Sequence, residues 1–125
     1  MKHETWQSEP EEHDFPAAAA YLSLLAADRE VTTLVAALRK APLVHQKAKD
    51  ILRASRLPIL ESDSAHVAAE LQKVKAGKPL SPVLLVRGGL RTGIALQIAD
   101  GYHRVCASYH LDENADIPCK LIDLS

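Results

Sequence analysis

The sequence lacks most of the features that mark whole classes of protein. No apolar run is long enough to cross a bilayer, and no basic start leads into an apolar stretch of the signal-peptide kind. A cytoplasmic protein without a membrane partner is the resulting expectation. Cys106 and Cys119 are its two cysteines. They fall in a predicted helix and a predicted strand and read as small, reduced core residues rather than a disulfide framework. Neither a P-loop nor a Gly-x-Ser-x-Gly pattern is present. The histidines show no His-x-x-x-His spacing. His103 and His110 share a helix face two turns apart, too far for one metal, so no metal site is expected. There is no internal repeat, and the only biased tract is a short alanine run.

Charge of one sign is also missing. Residues 1–40 carry four Lys/Arg against seven Asp/Glu, and the remainder eleven against nine. Neither part is basic enough to hold a DNA backbone on electrostatics alone, so DNA binding by this chain is not expected. The 125 residues allow one domain with one modest core.

Residues 1–13 are polar and acidic without periodicity and read as a flexible tail. Asp14-Phe15-Pro16 reads as a helix start, with Asp14 as cap and Pro16 in the first turn. Phe15, Ala18, Leu22 and Leu25 then recur at helical spacing. Asp28 offers a second cap, and Val31, Leu34, Val35 and Leu38 form an amphipathic stripe that Pro42 ends. Residues 14–42 are therefore expected to form a helical hairpin. It carries too few basic or amide side chains for a DNA-reading helix-turn-helix, and packing or homodimerisation suits it better.

Lys47 to Leu52 fits either a strand or a short helix, and Leu57 to Leu60 looks extended because Pro58 disfavours helix before it. The cluster Glu61-Ser62-Asp63-Ser64 announces a helix over residues 64–76, stopped by Gly77. Pro79 to Pro82 reads as a linker. Val83 to Val86 is an apolar, buried strand. A loop with three glycines leads to a return strand over residues 94–99, so 83–99 is a hairpin. A helix follows Gly101, and Ile117 to Ile122 is a last strand, with Pro118 near its start. The expected fold is α+β: a small mixed sheet with packed helices over residues 43–125, preceded by the hairpin.

The stretch with chemistry runs from Ile98 to Ala107. A strand stops at Asp100-Gly101 and a helix opens with Tyr102, His103 and Arg104. Free N–H groups of a helix start, together with two cationic side chains, attract a phosphate or another anion. Gly101 lets the chain turn and a ligand approach. Asp100 reads first as the helix cap and, as an alternative, as a general base or magnesium ligand. His103 and Arg104 are the candidate anion contacts, the guanidinium through two parallel N–H bonds. Tyr102 could stack on a base or line the turn. Ser64, at the other helix start, is a second candidate phosphate contact or a plain cap.

These residues resemble the ParB/sulfiredoxin superfamily. The resemblance rests on Pro82-Val83-Leu84-Leu85-Val86, the glycine loop, Ile98-Ala99-Asp100-Gly101-Tyr102-His103-Arg104-Val105-Cys106-Ala107 and Ile117-Pro118-Cys119, and it covers roughly residues 45–123. It implies a stand-alone homologue of the bacterial-type partition protein, in which Gly101, His103 and Arg104 contact nucleotide phosphates. A nucleoside triphosphate with Mg2+ is the implied ligand, and Asp100 matches the motif of a free-serine kinase branch. Tyr102 stands where sulfiredoxin has its catalytic cysteine, so that chemistry is not implied. The downstream DNA-binding helices of ParB proteins have no counterpart in the sequence. The functional expectation is a nucleotide- or phosphate-binding module with a regulatory or interaction role. The alternatives are a small phosphotransferase or nucleotidase working through Asp100, and a scaffold that has lost its ligand.

Overall fold

The computed structural model describes residues 4–124. Five helices and four strands follow in the order α1 (Asp14–Leu22), α2 (Asp28–Lys40), β1 (Leu43–Lys47), α3 (Ala48–Ser55), α4 (Ala65–Lys75), β2 (Val83–Val86), β3 (Gln97–Asp100), α5 (Tyr102–Leu111) and β4 (Asp116–Ile122). The strands form one mixed sheet in the order β1-β4-β2-β3. The central β2 and β4 are parallel, while β1 and β3 pair antiparallel at the two edges.

Alternation along the strands divides the core into two. Val83 and Leu85 of β2, Ile98 of β3 and Ile117 and Cys119 of β4 face α3, α4 and α5. Leu84 and Val86, Ala99 and Ile122 face the α1–α2 hairpin. Helices on both faces explain why β2 is apolar at every position. The stripe Val31, Leu34 and Leu38 is thus buried against the sheet, as are Phe15, Ala18 and Leu22. The hairpin is one face of the core, and the apolar stripe that suggested a dimer surface is already covered. α1 stops at Leu22, so Leu25 lies beyond it and is exposed.

The described part of the acidic N-terminal segment is not a loose tail. Trp6 bridges to Leu80 in parallel, with Gln7 N donating to Leu80 O at 2.8 Å and Leu80 N to Thr5 O at 2.8 Å. Trp6 packs against the core on the α5 side. One large apolar ring and the unpaired main chain of Leu80 give this polar stretch enough to order it. Residues 1–3 of the expected tail lie outside the described residues. The presumed linker behaves likewise: Leu80 and Ser81 are buried.

Lys120 is buried on β4, where its ammonium donates to Arg39 O at 2.8 Å and pairs with Glu9 at 3.5 Å. It satisfies a carbonyl of the last turn of α2, at the negative end of the helix dipole. The return strand is shorter than its apolar run suggests. Ile94 makes only an isolated bridge with Gly89, and regular pairing begins at Gln97. Cys106 and Cys119 are buried free thiols, as their positions suggested. Among the described residues no helix is long and apolar enough to cross a membrane.

Candidate functional site

β3 ends at Asp100, and Gly101 turns the chain into α5 with φ +108°, a left-handed conformation that L side chains rarely adopt. The turn is also tight. A Cβ here would lie 2.5 Å from Cγ1 of Val83 and 2.8 Å from an Nη of Arg104. Gly101 is the N-cap, and no side chain caps the helix. The reading of Asp100 as the cap is therefore corrected. Its carboxylate turns the other way and accepts from Nη2 of Arg104 at 2.8 Å, one helical turn on.

Arg104 does not flank an open anion site with His103. Adjacent positions on a helix point about 100° apart, and Arg104 runs inward. Its other Nη lies 3.7 Å from Asp14 of α1, which is buried. Asp14 also accepts from Glu11 N at 3.1 Å and from the hydroxyl of Ser81. Asp14 thus sits inside the helix as an interior anion rather than as the expected cap. Burial pushes the Asp100 carboxyl above its ordinary value. Arg104 pulls it down, and Asp14 beside it pushes it up. With one guanidinium matched by two carboxylates, Arg104 and Asp100 are engaged in tying α5 to α1.

His103 faces α4. Its ring lies 4.7 Å from that of His66, tilted by 39°. The two occupy equivalent places: His66 is two residues past the N-cap Ser64 of α4, and His103 two past the N-cap Gly101 of α5. Both helices open without a side-chain cap. The structure thus sets two helix starts, with their unpaired N–H groups, around one imidazole pair. Ser64, read as a cap or phosphate contact, makes no cap bond. Its hydroxyl and Oε2 of Glu70 are the two buried side-chain polar atoms without a partner among the described residues. Glu70 belongs to the same cluster: burial first and His66 second lower the proton affinity of His103, and Glu70 raises it by less than either. The net effect holds the His103 pKa below the ordinary imidazole value.

Tyr102 lines the turn. Its hydroxyl donates to Pro58 O at 2.6 Å, and Nε2 of His110 lies 2.6 Å from Leu60 O. These two contacts fasten the loop before α4 to α5, which fixes the distance between the helix starts. The chain matches no family model, no curated protein and no solved structure.

Of the expected site residues, Gly101, Tyr102, His103 and Ser64 gather around the paired helix starts, while Asp100 and Arg104 form a separate buried cluster with Asp14. His66 and Glu70 escaped the sequence reading. The signal was present: Ser64-x-His66 repeats the placement of Gly101-x-His103 at a second helix start. Among the described residues no group of three His, Cys, Asp or Glu side chains could hold a metal ion.

Proposed function

We propose that the chain is a phosphate-binding module, with a nucleotide as the ligand class, whose anion sits between the starts of α4 and α5. The observation that carries this reading is the buried hydroxyl of Ser64, without a partner among the described residues, at the helix start that sets His66 beside His103. A buried polar atom without a partner costs roughly 1–3 kcal/mol, and such a cost at a helix start is understandable where a ligand completes the bond. In the bound state the uncapped N–H groups and Ser64 Oγ–H donate to the anion. His103, whose proton affinity burial holds down in the free protein, takes up a proton, and Glu70 supports that charge. The resemblance to the ParB/sulfiredoxin superfamily agrees with an anion at this corner and supplies the nucleotide as ligand class. Here, however, the histidine pair replaces Arg104 as the contact.

Thermal shift with nucleoside mono-, di- and triphosphates, with and without magnesium, tests the reading. A nucleotide should raise the melting temperature more at pH 6 than at pH 8. His103→Ala should abolish the gain while Arg29→Gln, on the exposed face of α2, leaves it. Arg104 favours one competing reading, a scaffold without a ligand, because its charge is already matched by Asp100 and Asp14. Absence of any shift at millimolar nucleotide would establish that alternative.

A further inference from the structure

A separate feature lies at the far end of β2 from Gly101. There an open cavity of about 800 Å³ runs between the end of α3 and the β2–β3 loop. Ile51, Leu85, Leu96 and Leu121 contribute apolar side chains to it. Four of the seven arginines of the chain, Arg53, Arg56, Arg87 and Arg91, line the same cavity, and no lysine among the described residues does. A surface needing only solubility has no reason to separate the two cations in this way. Arginine is the residue whose planar fork grips phosphate with two bonds at once.

Local pairing leaves these guanidiniums available. Arg53 is 3.3 Å from Asp50, and Arg87 is 2.7 Å from Asp123, both as exposed pairs of little strength. Asp50 is the one carboxylate in the lining. Arg91 makes no ion pair among the described residues. Arg56 is the most telling. It closes α3 with φ 59°, the one non-glycine residue with positive φ among those described. A glycine would hold this position without strain. The arginine instead reaches across the mouth and donates to Gly93 O at 3.0 Å. On the loop side Gly88 keeps the hairpin narrow, since a Cβ there would lie 2.1 Å from Ile94 O.

We infer that this cavity binds a phosphate monoester with an apolar body, the phosphate on the arginines and the body on the leucine and isoleucine side chains. The volume suits a small organic ligand. The site is independent of the one at the starts of α4 and α5, and either can fail without the other.

Backbone amide NMR with phenyl phosphate, inorganic phosphate and benzyl alcohol as probes tests it. Phenyl phosphate should shift Arg56, Gly88, Gly89 and Arg91, with at least tenfold higher affinity than either fragment. Arg56→Gly removes the strained residue, so it should leave the melting temperature unlowered while weakening phenyl phosphate at least fivefold. Arg91→Gln, at an exposed position, should weaken it as well. Equal binding of phenyl phosphate and inorganic phosphate would overturn the inference. So would unchanged affinity in both variants, or shifts confined to residues 64–66 and 101–104.

Discussion

Gly101→Ala measures how tightly the turn into α5 is built. The added methyl meets two separate penalties. A left-handed residue with a Cβ costs roughly 1–2 kcal/mol. The methyl would also fall 2.5 Å and 2.9 Å from side-chain carbons of Val83, which is buried on the central strand and cannot swing away. Overpacking of this kind costs about 1–3 kcal/mol. Alanine recovers roughly 0.4–1 kcal/mol by restricting the unfolded chain. The expected net loss is therefore about 1–4.5 kcal/mol. For a chain of this length a kilocalorie corresponds to roughly 4 °C, so the melting temperature should fall by about 4–18 °C. Gly77→Ala is the internal control. It has φ +76°, and nothing lies within 4 Å of its Cβ position, so it carries the conformational penalty alone. Urea unfolding of both variants separates the terms, and Val83→Ala in the Gly101→Ala background should return part of the difference. A Gly101→Ala variant no less stable than Gly77→Ala would refute the close approach to Val83.

Arg104→Met should cost about 3–5 kcal/mol in urea unfolding, because it leaves the buried Asp14 and the half-buried Asp100 without their shared cation. Adding Asp14→Asn should recover part of that loss, whereas a purely ligand-binding arginine would cost almost nothing. Trp6→Ala should lower stability by about 2 kcal/mol, less than for a fully buried ring because Trp6 is only partly buried; a neutral result would mean that residues 4–13 do not hold to Leu80. Burial and His66 hold the His103 pKa below its ordinary value, so the folded state binds fewer protons than the unfolded chain in that window. Stability should therefore decline as pH falls from about 6.5 through the folded value, and His103→Gln should flatten that part of the curve.

Parts of the molecule were legible because a local signal matched the final environment. β2 is a short apolar run that ends in a sheet covered on both faces, and α5 begins after a glycine that its backbone requires. β1 and α3 were ambiguous because nothing punctuates Lys47-Ala48: the strand passes straight into the helix without glycine, proline or a side-chain cap. The stripe Ala48, Ile51, Leu52 and Ser55 is helical in retrospect, but lysines interrupt it at the point where the strand ends. Trp6 was invisible in a polar stretch because its partner, Leu80, lies more than seventy residues away. The same holds for Arg104. From spacing alone a cation at a helix start suggests an anionic ligand, yet the anion that meets it, Asp14, comes from the other face of the sheet. Long-range charge pairing decided that residue, and no local pattern encodes it. His66 has a local signal, because Ser64-x-His66 at the start of α4 repeats the spacing of Gly101-x-His103 at the start of α5.

In the proposed bound state an anion enters between Ser64-His66 and Gly101-His103 and draws a proton onto His103. Titration of the His103 ring by NMR, with and without inorganic pyrophosphate, tests this most directly. The His103 pKa should lie below the ordinary imidazole value in the free protein and rise above it on adding pyrophosphate, a rise lost in Ser64→Ala. An unchanged His103 titration at saturating pyrophosphate would contradict it.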